Sequence, residues 1–293
     1  MSQTRFLFAG FLFAALWASA SIAGKFGLRS AEPLTLFTIR FLLAGTILLA
    51  YAAIAKKWQT PSKKEWLQLV IFGAFNTTLY LGIFILALGD VAAGITTLMI
   101  ALNPLLISLL SSLWIRRPVA SREWISIILG MIGVAIATFP LFEDGYATLG
   151  GILLLLLSML TYSIGAVYYA SVKWTLNRSV INGWQVLIGG LLLLPFTLIF
   201  EKGQTRFDLQ FWLSIGWLIA PVSIAAVQLW LYLLKGDTIR ASLWLFVCPI
   251  FGLLYSTWLL NEPFTLYTII GAMTVLASLY IGQRKPTITS TNT

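Results

Sequence analysis

The sequence has no histidine and one cysteine, Cys248. Together these exclude a disulfide framework, a thiolate metal cluster and a His-ligated metal, so no metal and no cofactor is expected. Acidic residues are scarce, ten in 293 positions, and none falls in the middle of an apolar run. That rules out the paired aspartates of an intramembrane protease, the Asp clusters that hold magnesium for prenyl transfer, and the carboxylate or histidine relay of many proton-driven carriers. The glycine-rich phosphate loop of an ATPase is missing as well. Charged residues reach only 10%, against about 25% in soluble domains.

Apolar surface fills the space that charge leaves. Hydrophobic residues make up 59%, and mean hydropathy is +0.91. A soluble chain of this length cannot hide so much apolar surface, so its solvent is a lipid bilayer. Apolar runs stand at roughly 6–24, 33–54, 66–88, 91–114, 121–140, 148–172, 181–200, 209–234, 238–260 and 264–283. Each is near the ~20 residues a helix needs to cross a bilayer. The runs are continuous rather than alternating, which excludes barrel strands. The fold class predicted is therefore an all-α membrane protein of ten transmembrane helices. Arg5, the apolar stretch after it and Ala18-Ser19-Ala20 also fit a cleaved signal peptide, but the repeat below needs this segment as a helix. Residues 284–293 are rich in Thr and Ser and read as a disordered cytoplasmic tail.

The net charge of +9 does not point to nucleic acid, because the charges sit in short loops. With a cytoplasmic N-terminus and ten crossings, fourteen Lys and Arg fall on the cytoplasmic side. Only Lys25, Arg29, Lys202 and Arg206 fall outside, and Arg40 lies within a helix. A bias of that size orients the chain in an inner membrane with both termini cytoplasmic.

The two halves match at an offset of 145 residues. Pro104 falls on Pro249, Pro118 on Pro263, Gly45 on Gly190, Trp17 on Tyr162 and Arg40 on Gln185. The repeats are residues 1–140 and 148–283. Five helices per repeat is an odd number, so the second half enters the membrane upside down, as in the inverted-topology repeats of secondary transporters. The turn Arg116-Arg117-Pro118 is basic, and its mate Asn261-Glu262-Pro263 is acidic, each suited to its side.

Leu16-Trp17-Ala18-Ser19, Phe37-Thr38-Ile39-Arg40-Phe41, the Pro104 and Pro249 helices and the run Gly130-Met131-Ile132-Gly133-Val134 resemble the drug/metabolite transporter superfamily, in its ten-helix EamA-type families. One departure is Arg117, where many such proteins carry an acidic residue. The resemblance implies a secondary transporter working by alternating access, with helices 1–4 and 6–9 around a cavity. The cargo it implies is a small metabolite, an amino acid or similar amphipathic solute. Rival readings are a vitamin, aromatic drug or phosphorylated sugar as cargo, or a non-transporting scaffold or flippase subunit. The partners expected are the solute and lipid, with a homodimer left open, and no enzymatic activity is expected.

Arg40 is the leading candidate. A charge at mid-helix costs ~3 kcal/mol or more and calls for a partner; the alternatives are that it snorkels outward or caps carbonyls. Trp17 with Ser21, Asn76 with Tyr80, Gln228 with Tyr232, and Trp244 with Cys248 are spaced four apart, so each pair shares a helix face. With Tyr162 and Gln185 they are candidates for solute binding, or else for helix packing. Pro104 and Pro249 are expected inside helices, as hinges or fixed kinks. Small residues such as Gly130, Gly133, Ala137, Ala20 and Gly24 are expected at helix contacts.

Overall fold

The computed structural model describes residues 3–87, 90–91, 99–142, 148–260 and 265–283. Its helices are α1 (Gln3–Gly27), α2 (Pro33–Ile54), α3 (Lys63–Ala87), α4 (Asn103–Ile115) and α5 (Ser121–Thr138). Then come α6 (Leu149–Ser171), α7 (Arg178–Phe200), α8 (Leu209–Gly236), α9 (Thr238–Leu259) and α10 (Leu266–Gln283). Among the described residues the regular structure is all helical, and nine helices are long and apolar enough to cross a membrane. The exception is α4. The run expected at 91–114 falls partly outside the described residues, as do the Asn261-Glu262-Pro263 turn and the 284–293 tail.

Helix ends follow local chemistry more closely than hydropathy does. Helix α3 starts three residues before its apolar run, because Ser62 and Glu65 form a capping box. The Ser62 Oγ accepts from the Glu65 N–H at 3.3 Å, and the Glu65 carboxylate accepts from the Ser62 N–H at 3.0 Å. Besides the end of α4 at Ser111–Ile115, two helices widen into π-helical turns, Ala74–Leu79 in α3 and Leu218–Ala226 in α8, which the 145-residue offset superposes. Pro221 accounts for the second, since its ring removes a rung of the ladder. In the first, Thr77 and Thr78 turn their hydroxyls to Gln185 Oε1 and Gly189 O on α7, both at 2.9 Å.

Pro104 does not stand mid-helix as expected, and Pro249 stands midway along α9 but directly after a break in it. Pro104 lies in the first turn of α4. Helix α9 breaks into a 3₁₀ turn at Leu243–Phe246, and Pro249 follows in the first turn of the α-helical stretch from Val247. A proline there gives up no hydrogen bond within its own segment. The prolines enclosed by helix are Pro195 in α7 and Pro221 in α8.

Close packing depends on small residues, since lipid supplies no hydrophobic drive between helices. Gly45 of α2 lies against Leu187 and the Gly183 carbonyl of α7, and Gly183 in turn lies against Leu49. Thr38 meets Thr197 at 2.7 Å. Partner numbers fall along α7 as they rise along α2, so these two helices run antiparallel. The same holds for α5 and α10, where Ser126 meets Ser278, and Gly133 meets Gly271 and Val275. Gly130 receives the Phe246 ring. Gly24, expected at such a contact, instead faces open space: a Cβ added there would have no neighbour within 4 Å. The remaining contacts repeat between halves. Helix α3 packs on α6 and α7 as α8 packs on α1 and α2, and α4 packs on α6 as α9 packs on α1.

Candidate functional site

A cavity of about 450 Å³ opens toward the end of the bundle that carries Lys25. Its wall comes from the late turns of α1, α3 and α9, the early turns of α2, and the middles of α7 and α8. Trp17, Phe37, Phe41, Tyr80 and Phe84 supply aromatic surface, and Arg40, Asn76, Thr77, Gln185 and Ser223 supply polar groups.

The polar groups form one chain across four helices. Arg40 Nε donates to Ser223 Oγ at 2.8 Å. Asn182 Nδ2 donates to the Ser223 carbonyl at 2.9 Å, and Gln185 Nε2 donates to Asn182 Oδ1 at 3.1 Å. The Gln185 Oε1 accepts from Thr77 Oγ1 at 2.9 Å and from Asn76 Nδ2 at 3.3 Å. Both π-helical turns bear on this chain, through Asn76 and Thr77 on α3 and Ser223 on α8. A buried polar group is stable only with a partner; every side chain in this series has one, and the Asn76 Oδ1 is the one polar atom of the series left buried without. Arg40 is the chain's sole charge. It is 6% exposed, lies over the Phe41 ring at 5.1 Å and the Phe37 ring at 5.6 Å, and has no carboxylate within ion-pair distance among the described residues.

The sequence-derived candidates divide. Trp17, Ser21, Arg40, Asn76, Tyr80, Gln185 and Pro249 line the cavity, and Cys248 joins them. Tyr162 lies just beneath, 4.9 Å from the Tyr80 ring and 6.4 Å from Trp17. Trp244 is buried against Gly10 of α1. Gln228 is half-buried on α8, away from the cavity wall. Tyr232 stacks under Arg178 at 4.9 Å, far from the opening. Pro104 is buried at the start of α4 and does not line the cavity. Asn182 and Ser223 were not foreseen. Asn182 was legible as the residue three before Gln185 on the same face, whereas no pattern marked Ser223. A larger groove of about 910 Å³ lies on the other side of α1, between α8 and α9. Its wall is almost wholly apolar, and it offers no comparable chemistry.

The opposite end, which carries Arg117, is packed shut. Trp230 stacks on Phe13 at 5.0 Å and on Tyr162 at 6.1 Å, and Tyr169 stacks on Phe72 at 5.3 Å. Over this core, Arg117 reaches Glu123 at 2.7 and 2.8 Å and Asp237 at 2.7 Å. Helix α4 delivers it through Arg116, whose φ of 57° turns the chain back sharply. Burial works against the Arg117 charge, but the hydrogen bonds it donates to both carboxylates outweigh it and raise the guanidinium pKa. At the Lys25 end, Glu201 accepts from the N–H groups of Leu34 and Thr35, the latter at 2.7 Å, at the start of α2. There too Asp208 is held below the usual carboxylate range by hydrogen bonds from Phe211 N–H and the Ser30 hydroxyl.

Among known proteins, the EamA-like transporter family matches this chain twice, over residues 4–139 and 149–281. An uncharacterized transporter of Synechocystis is 27% identical, covering 92% of this chain and 87% of its own. The protein PecM of Dickeya dadantii is 25% identical over 92% and 89%. An uncharacterized inner membrane transporter of Escherichia coli is 26% identical over 84% and 80%. A solved crystal structure with 18% identity superposes with a TM-score of 0.81 over 96% of each chain. At that identity the likeness is one of fold.

Proposed function

Since this chain belongs to the EamA-like transporter family, and is by that membership a membrane transporter, we propose that its cargo is a small carboxylate-bearing metabolite. An amino acid or a similar amphipathic solute fits best. The observation that carries this reading is Arg40. Its guanidinium forms part of the cavity wall, is fixed at Nε by Ser223, and has no carboxylate of the protein to pair with among the described residues. A guanidinium presents parallel donors that match a carboxylate. The aromatic wall suits the apolar part of the solute.

The route is alternating access across an inner membrane, through ten helices in two inverted repeats. The double family match, the antiparallel pairing of α2 with α7 and α5 with α10, and the two superposed π-helical turns all support this architecture. The charge bias puts the Arg117 end and both termini in the cytoplasm, so the cavity faces outward. A reporter fused after Thr293 should be active in its cytoplasmic form; activity confined to the periplasm would reverse the orientation. No proton relay runs through this chain, because no acidic residue stands in the middle of a span.

The test is flux into liposomes holding this chain alone, with radiolabelled phenylalanine, leucine, glutamate and phenylacetate, and phenethyl alcohol as the uncharged control. The reading requires uptake of at least one carboxylate in preference to the alcohol. Movement of none of the carboxylates would sink the cargo class. Collapse of flux when only a proton gradient is dissipated would overturn the uncoupled mechanism.

A further inference from the structure

The closed end contains an anomaly that its role as a seal does not explain. Tyr162, Trp230 and Trp244 are 3%, 1% and 4% exposed. Yet the Tyr162 hydroxyl and both indole N–H groups find no hydrogen-bond partner. Buried polar atoms are nearly always paired, and each exception calls for a reason. At Tyr162, phenylalanine would fill the same space in a pure seal without that cost.

The three residues also lie in sequence along one path. Tyr162 touches Tyr80 in the cavity wall at 4.9 Å. Trp230 follows, parallel to Tyr162 within 15° at 6.1 Å and stacked on Phe13. Trp244 covers Gly10, one turn before Phe13 on α1. The column therefore descends from the floor of the cavity toward the Arg117 end, and all its orphan groups are able to donate.

We propose that Tyr162, Trp230 and Trp244 form the inward-facing half of the solute path, their unpaired donors binding the carboxylate oxygens of the solute once it leaves Arg40. This rests on the transport reading above. In the conformation described here the donors are sealed among rings. When α1 and α9 part, the same donors face the solute and gain acceptors. The unpaired groups weaken the closed state and are satisfied in the open one, so the closed end is held shut without being locked.

The test does not depend on knowing the cargo. In a Cys248→Ser background, Trp244→Cys is exposed to the membrane-impermeant thiol reagent MTSET in right-side-out and inside-out vesicles. Phe246→Cys is the control, since Phe246 is fully buried on the same segment and has no polar group. Modification of Trp244→Cys from the cytoplasmic face only, with Phe246→Cys at least tenfold slower, is expected. No modification of Trp244→Cys before denaturation, or equal rates at the two positions, overturns the proposal. The donor role is tested separately with Tyr162→Phe, which keeps the ring and removes the orphan. Phenylalanine flux should fall at least tenfold, while the detergent melting temperature holds or rises. Unchanged flux, or flux and melting temperature falling together, overturns it. Failure of the transport reading would appear differently, as unmodified protein that moves none of the carboxylates tested.

Discussion

The two ends of the bundle solve opposite problems with the same kinds of residue. At the Lys25 end there is open space, and the polar side chains from Arg40 through Ser223, Asn182 and Gln185 to Thr77 are joined in a chain. At the Arg117 end aromatic rings stack on one another, and Tyr162, Trp230 and Trp244 each carry a polar atom left without a partner. A network in which each side chain has a partner, with only the Asn76 Oδ1 left over, defines one geometry and suits a binding site. A well-packed but polar-frustrated core is stable enough to close and easy enough to open. On the transport reading proposed above, recognition belongs to one end and gating to the other.

The largest break in this contrast should come from Arg40. Arg40→Gln matches its repeat mate Gln185 and removes the charge; uptake of carboxylates into liposomes should be abolished. Arg40→Lys keeps the charge, loses the fork and should weaken uptake at least tenfold. Melting temperature should change less than flux in both. Equal loss of folding and flux would make Arg40 structural.

Next in size is the network itself. Asn182→Leu leaves the Ser223 carbonyl and the Gln185 amide without partners, at about 1–3 kcal/mol in all. Because Asn182 touches the site only through its neighbours, the half-saturating solute concentration should rise more than the maximal rate falls. A fall in rate alone would detach Asn182 from recognition.

At the closed end, a methyl group on Gly10 would lie 1.9 Å from the Trp244 ring. Gly10→Ala should therefore displace that indole and destabilise closure by about 1–3 kcal/mol, seen as a lower melting temperature. An unchanged melting curve would mean that Trp244 does not rest on Gly10.

The smallest effect belongs to the ion pair. Arg117 and Asp237 are 28% and 23% exposed at their side chains, and pairs so hydrated contribute roughly 0–1 kcal/mol. Asp237→Asn should speed the MTSET reaction of Trp244→Cys a few-fold, and high salt should mimic it in the parent. No change in either case would place the hold on the cytoplasmic end in the aromatic packing alone.

The spans were legible because hydropathy integrates over twenty residues, and the error at α3 came from a cap that acts over four. Arg40 was legible because a lone charge inside an apolar run has few explanations. The stripes of Gln228 with Tyr232 and of Trp244 with Cys248 were less informative. Four-residue spacing shows that two side chains share a face, but not which neighbour that face meets. Cys248 reached the cavity, while Trp244, one turn away, met Gly10 instead. The prolines misled for a related reason: Pro104 and Pro249 start helical segments, and the π-helical turns that bear on the cavity lie in α3 and α8. There the widening at Ala74–Leu79 depends on threonine contacts to α7, which no local pattern contains.

Arg40 also bears on what drives the cargo. A guanidinium held by Ser223 and two aromatic rings stays with the protein, so its charge does not travel with the solute. A solute bearing one net negative charge then crosses the electric field unaccompanied. With the interior 100 mV negative, outward passage of that charge is favoured by about 2.3 kcal/mol, roughly a fifty-fold concentration ratio. On the cargo proposed above, the voltage alone would drive such a solute outward. A zwitterion with no net charge gains nothing from the voltage and moves only down its own gradient.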